Sequence, residues 1–171
     1  GEESVAVGTY RAICKVTLNP NGGTCTPLTQ YIEREGAELP QDVVREGYTF
    51  GGWYSNASCT SDEVTEIPVT ATGEQTFYAK WNANSYSITL NTNGGTINSG
   101  NVTTYTYGNS VMLPADISQI GYTFGGWYTS SSFTGSSVQS VPSTATGNKT
   151  YYAKWTVNKY TVTFVTNNGT I

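Results

Sequence analysis

The chain has 171 residues, room for one or two domains, with 8 basic against 12 acidic residues, a net charge of −4 and no histidine. So few scattered cations leave no electrostatic footprint for nucleic acid or anionic membrane, and without imidazole there is neither a histidine base nor a histidine-held metal. Only 12 % of residues are charged while 13 % are aromatic, the composition of a β-rich, turn-rich fold rather than of a disordered chain.

Residues 1–12 match nothing later in the chain and read as an N-terminal tail. A first module, 13–83, then opens with Thr17-Leu-Asn-Pro-Asn-Gly-Gly-Thr24, which returns as Thr89-Leu-Asn-Thr-Asn-Gly-Gly-Thr96, 72 residues on. The octapeptide Gly47-Tyr-Thr-Phe-Gly-Gly-Trp-Tyr54 recurs unchanged as Gly121 to Tyr128, and Tyr78-Ala-Lys-Trp81 as Tyr152-Ala-Lys-Trp155, both at 74 residues. A loop between turn and octapeptide therefore grew by two residues, and 84–157 is a second module. A third copy starts at Tyr160-Thr-Val-Thr-Phe and breaks off at Asn167-Asn-Gly-Thr-Ile171, so 158–171 reads as a truncated third repeat. The expectation is a piece of a longer array, since a period of this kind signals a repeat architecture.

Within the second module Tyr86, Ile88 and Leu90 alternate with polar residues, and Asn93-Gly94 supplies the positive φ angles of a tight turn. Val102–Tyr107 reads as a second strand, turned by Gly108-Asn109 towards Val111–Pro114. Ala115–Ile120, following Pro114, is predicted as a short helix or 3-10 turn. Tyr122 and Phe124 share a face, but Trp127 follows at an odd step, so Gly125-Gly126 predicts a β-bulge. In the closing strands Tyr151, Ala153 and Trp155 point one way, as do Phe77, Ala79 and Trp81. The linkers at 82–85 and 157–159 are too short for a flexible tether.

The two modules form an internal comparison of chemistry. Residues 1–84 hold eleven of the acids, whereas 85–171 hold only Asp116. Paired carboxylates for hydrolysis are impossible within the second module. No base stands ready to activate the many hydroxyls, and Asn-Gly-Gly lacks the lysine and helix of a phosphate loop. No catalytic, cofactor or metal residues are therefore assigned, and no apolar run approaches the ~20 residues of a membrane span or forms a signal-peptide core. Cys14, Cys25 and Cys59 align with Tyr86, Ile97 and Phe133, so the fold does not require a disulfide; Cys25 with Cys59 is the favoured pair. Lys80 and Lys154 read as snorkelling lysines beside aromatics, with a covalent crosslink to asparagine or a cation–π contact to a ligand as the alternatives. Trp53, Trp81, Trp127 and Trp155 read as core, against a carbohydrate-stacking alternative that also takes in Tyr54 and Tyr128. Glycosylation sequons stand at Asn56, Asn101, Asn148 and Asn168.

With these motifs in hand, the chain resembles the Listeria–Bacteroides repeat, the B-repeat family of internalin B-like bacterial surface proteins. The family's signature falls on Gly47, Tyr48, Phe50, Gly52, Trp53, Tyr54 and closing Trp81, and again on Gly121, Tyr122, Phe124, Gly126, Trp127, Tyr128 and Trp155. The resemblance implies a mainly β module of β-grasp-like (ubiquitin/SUMO-like) fold. It also implies tandem display on secreted or wall-associated bacterial proteins, outside the cell, as a non-enzymatic stalk, spacer or adhesion module. The expected partners are neighbouring repeats and a host or cell-surface protein or glycan, without nucleic acid or membrane insertion. The alternative function is a carbohydrate- or host-receptor-binding module that uses exposed strand-edge aromatics.

Overall fold

The computed structural model describes residue 8, residues 10–165 and residue 169. Among them every regular element is a β-strand. The chain divides into two units, Gly1–Asn84 and Ser85–Ile171.

In the first unit β1 (Ile13–Asn19) buries Cys14 and Val16 while their neighbours face solvent, the two-residue period of a half-buried strand. It is followed by β2 (Gln30–Ile32), β3 (Ala37–Glu38), β4 (Tyr48–Tyr54), β5 (Glu63–Val64), β6 (Glu66–Ile67) and β7 (Gln75–Ala83). The main sheet has the order β2-β1-β7-β4-β5, with β3 and β6 forming a separate ribbon. Its centre is the parallel pair of the unit's first and last long strands, β1 and β7, in which Leu18 lies beside Phe77. Tyr31, Leu39, Trp53, Ile67, Phe77 and Ala79 complete the core on one face.

The second unit repeats this plan. Its strands are β8 (Ser85–Asn91), β9 (Thr96–Ile97), β10 (Thr104–Thr106), β11 (Val111–Met112), β12 (Ile117–Ser118), β13 (Tyr122–Tyr128), β14 (Ser140–Val141) and β15 (Lys149–Val157). The sheet order is β10-β8-β15-β13, again with the first and last long strands parallel at its centre. Ile88, Tyr105, Ile117, Trp127, Tyr151 and Ala153 fill the core.

The tight turns follow their sequence cue. Asn21 and Gly22 have φ of +47° and +88°, Asn93 and Gly94 +49° and +93°, the left-handed pair that Asn-Gly accommodates. The bulge also lies where Gly125-Gly126 placed it. Register shifts between Phe124 and Trp127, and likewise between Phe50 and Trp53.

The helix expected at Ala115–Ile120 is not formed. Ile117 instead pairs antiparallel with Ile97, within β12 and β9. Six residues make fewer than two helical turns, too few to offset the unfavourable nucleation of a helix. Extended pairing buries Ile117 and satisfies the backbone, with Asn98 N–H donating to the Asp116 carbonyl at 2.9 Å. Of the expected third repeat, Tyr160–Val165 is exposed and outside any strand. The turn at Asn167-Asn168, with its sequon, lies outside the described residues, as do residues 1–7 of the tail.

Candidate functional site

The signature residues gather into one arrangement, built twice. The bulge turns the Trp53 and Trp127 indoles into the core, where they are 0 % and 2 % exposed. Each meets the phenylalanine three positions earlier edge-on at 5.6 Å. Burying an indole N–H requires an acceptor, and each finds one thirteen residues upstream: Trp53 Nε1 donates to the Pro40 carbonyl at 2.8 Å, Trp127 Nε1 to that of Pro114 at 2.7 Å. Trp81 and Trp155 are half-buried and reach the tight turns, donating to the carbonyls of Pro20 at 2.9 Å and Thr92 at 2.8 Å.

These half-buried indoles explain the second glycine of Asn-Gly-Gly. A Cβ on Gly23 would stand 2.3 Å from Trp81 Cζ2, and one on Gly95 2.2 Å from Trp155 Cζ2. The turn asparagines add a clasp of their own. Asn21 Nδ2 donates to the Ala79 carbonyl at 2.7 Å, and Asn93 Nδ2 to that of Ala153 at 2.8 Å. At the other end of each sheet Tyr31 and Tyr105 hydroxyls donate to the carbonyls of Gly73 and Gly147, at 2.8 and 2.5 Å. Burial pushes both phenols above their ordinary pKa.

The remaining signature positions range from buried to exposed. Gly47 and Gly52 are buried while Gly121 is exposed, and Tyr48 sits under the Arg45 guanidinium at 4.1 Å. Tyr122 is exposed. Tyr54 and Tyr128 are half-buried, each with a lysine ammonium, Lys80 or Lys154, 5.2 Å from the ring centroid. The two lysines therefore sit over the modules' own tyrosines.

The Cys25–Cys59 pairing is not formed; all three cysteines are free. Cys25 packs beside Leu18 and Leu28 at the edge of the core. Cys59 Sγ instead faces the backbone carbonyls of Ala57 and Ala79 at 3.9 Å and Tyr78 at 4.0 Å. Cys14 is buried with its thiol 3.5 Å from Glu33 Oε1. Burial first, then the Glu33 hydrogen bond, raises its pKa and weakens it as a nucleophile.

One carboxylate position recurs in both units, Asp42 and Asp116, 74 residues apart. Each ties its segment to the stretch that follows the tight Asn-Gly turn of its own unit. Asp42 accepts from Thr26 N–H and hydroxyl, and Asp116 from Asn98 Nδ2 at 2.9 Å and Ser99 Oγ at 2.8 Å. Those hydrogen bonds hold both carboxyls below their usual pKa. Among the described residues no three His, Cys, Asp or Glu side chains gather as metal ligands would. Two of the grooves are mainly apolar: one of about 540 Å³ runs along β1 past Leu18, Pro20, Cys25 and Leu28. Another, of about 320 Å³, lies over Phe124, Gly126 and Trp127 in the second unit.

The Pro40/Pro114 acceptors, the Asn clasps and the paired aspartates were not singled out from the sequence. The signal that finds them is recurrence itself, since all three pairs repeat at the module period.

Comparison with known proteins agrees with this duplicated geometry. The Listeria-Bacteroides repeat domain matches the chain twice, over residues 15–80 and 86–154. Two proteins of Evansella cellulosilytica, one described as a Gly-rich membrane protein and the other as a membrane protein, are each 33 % identical over 90 % of this chain. The chain spans 17 % and 23 % of their respective lengths. No solved structure matches the chain. Among the described residues no helix is long and apolar enough to cross a membrane.

Proposed function

The chain belongs to the Listeria-Bacteroides repeat domain family, and from that premise we propose that it is a non-enzymatic repeat segment of a bacterial surface protein. It acts outside the cell as a stalk or spacer that carries other parts of the protein and contributes to adhesion. The observation that carries this reading is what the two copies keep. Indole-to-carbonyl bonds, glycine–tryptophan contacts, asparagine clasps and aspartate-held turns all recur, each serving the fold. Ten further acids of the first unit have no counterpart among the second unit's acids. A reaction centre served by each repeat would keep its reactive groups, whereas a load-bearing repeat needs only its packing.

The strand order supplies a mechanism. We read the unit as β-grasp-like, with an irregular, aspartate-held segment where a helix would cross the sheet. Force entering at the start of β1 and leaving at the end of β7 pulls two adjacent parallel strands in opposite directions. Their shared hydrogen bonds are then loaded together in shear rather than broken one at a time. Membrane-protein descriptions of the two relatives support a place in an envelope-associated parent. Neighbouring repeats and a host or cell-surface protein or glycan are the proposed partners. Protease added to intact cells of the producing bacterium tests the location. Cleavage within the segment is expected, and protection equal to that of a cytoplasmic control overturns the reading.

A further inference from the structure

The solvent face of each sheet carries polar and aromatic residues, some of them common to both copies. Across the β1–β2 pair the outward positions differ freely between copies. Ile13, Lys15, Gln30 and Ile32 of the first unit stand where the second has Ser85, Ser87, Thr104 and Thr106. Towards β4 and β7 five outward positions are unchanged, while Asn82 gives way to Thr156. Thr17 lies beside Thr76 and Tyr54 opposite Tyr78, with Lys80 two residues on from Tyr78 along β7. The second unit repeats this as Thr89 beside Thr150, Tyr128 opposite Tyr152, and Lys154. The four threonines are exposed, and the tyrosines and lysines half-buried. The result is a cross-strand pair of tyrosines with threonine hydroxyls on one side and one ammonium 5.2 Å from a ring centroid.

Around this constant set the units differ in three ways, all in one direction. In the first unit the Glu63 carboxylate covers the bulge, its Oε1 2.5 Å from where a Cβ on Gly52 would stand; in the second the covering residue is Ser137. Phe133 stands at the position of Cys59 and meets Tyr128 edge-on at 5.8 Å, fixing that ring. Residues 1–84 carry five bases against eleven acids, whereas 85–171 carry Lys149, Lys154 and Lys159 against Asp116 alone.

We propose that the Tyr128–Tyr152–Lys154 face of the second unit binds an acidic sugar residue of a polysaccharide, and that Glu63 denies the equivalent face of the first unit to the same ligand. Tyrosine rings offer apolar faces to the C–H side of a pyranose, leaving their hydroxyls at the wet edge. The Lys154 ammonium supplies charge for the sugar carboxylate, and Thr89 and Thr150 supply hydroxyls to its ring substituents. A neutral sugar gains the stacking but offers the ammonium no opposite charge. In the first unit the like charge of Glu63 beside the bulge opposes the carboxylate. This inference rests on the adhesive, glycan-binding part of the proposed function and not on its load-bearing part, which involves no ligand, so its failure leaves the load-bearing role standing.

Calorimetric titration of the whole chain with an oligogalacturonate hexamer, and with maltohexaose as the neutral probe, tests it. The acidic oligomer is expected to bind once per chain, more weakly as salt rises, and in preference to the neutral one. Lys154→Gln should weaken binding about tenfold, the loss of one charge-assisted contact, with the near-ultraviolet tryptophan spectrum unchanged. Ser137→Glu should weaken it comparably, and Glu63→Ser should raise the stoichiometry from one to two. Absence of saturable binding, equal binding of the neutral oligomer, or indifference to both Lys154→Gln and Ser137→Glu would overturn the proposal.

Discussion

Replacing Trp127 by alanine removes the largest side chain of the second core, 2 % exposed and edge-on to Phe124 at 5.6 Å. Truncating a buried Trp costs about 3–5 kcal/mol in transfer and cavity terms. The hydrogen bond to the Pro114 carbonyl, 2.7 Å long, adds about 1 kcal/mol. A domain of this size is stable by roughly 0.05–0.15 kcal/mol per residue, about 4–11 kcal/mol for the unit. The variant therefore loses a large part of the second unit's stability. Urea titration, with the amide signals of residues 85–157 followed by NMR, should show that unit unfolding at a much lower midpoint with the slope preserved. Trp127→Phe separates the contributions, since it keeps most of the apolar volume but no donor. A loss below about 1 kcal/mol for Trp127→Ala would refute the reasoning, because an indole that inexpensive to remove is not holding the core together.

Gly95→Ala should destabilise by about 1–3 kcal/mol, the cost of overpacking against Trp155. The same measurement on Gly73→Ala, where nothing lies within 4 Å of the added Cβ but φ is +72°, should show the smaller strain of a left-handed alanine, about 1 kcal/mol. Asp116 has a folded pKa below its ordinary 3.8, so its contribution is present above that value and lost as pH falls through the folded pKa. Asp116→Asn should flatten the acid limb of the second unit's melting temperature against pH; an unchanged limb would show that the carboxylate does not hold the turn. Cys14, buried and raised in pKa, should be the slowest of the three thiols to alkylate in the folded chain, as timed mass spectrometry would show.

The parts of the fold legible in the sequence are those encoded by local geometry. Asn93-Gly94 demands positive φ, and the odd step from Phe124 to Trp127 demands a bulge; both stand where the residues place them. The segment after Pro114 misled because a proline at a helix start is a local cue, whereas the partner that decided its conformation, Ile97, lies twenty residues upstream. The parallel β1–β7 pairing was equally hidden, since it joins the ends of a unit and leaves no periodic mark on either strand. At the site, aromatic spacing identified the core tryptophans but not their acceptors, because any backbone carbonyl can accept and only the fold selects Pro40 and Pro114. The cysteine pairing failed for a related reason. Bulky counterparts at Ile97 and Phe133 suggested a shared core, yet Cys25 packs beside Leu18 and Leu28 while Cys59 faces strand carbonyls.

Single-molecule stretching addresses most directly the claim that these repeats were copied to bear load. Pulled through Ile13 and Ala83, the first unit should resist as one cooperative event and then release chain towards its extended length of about 240 Å. Attached instead at Tyr48 and Ala83, which face each other across an antiparallel pair, the same unit should unzip at markedly lower force. Equal rupture forces in the two geometries, or gradual yielding without a discrete event, would contradict a shear-loaded spacer.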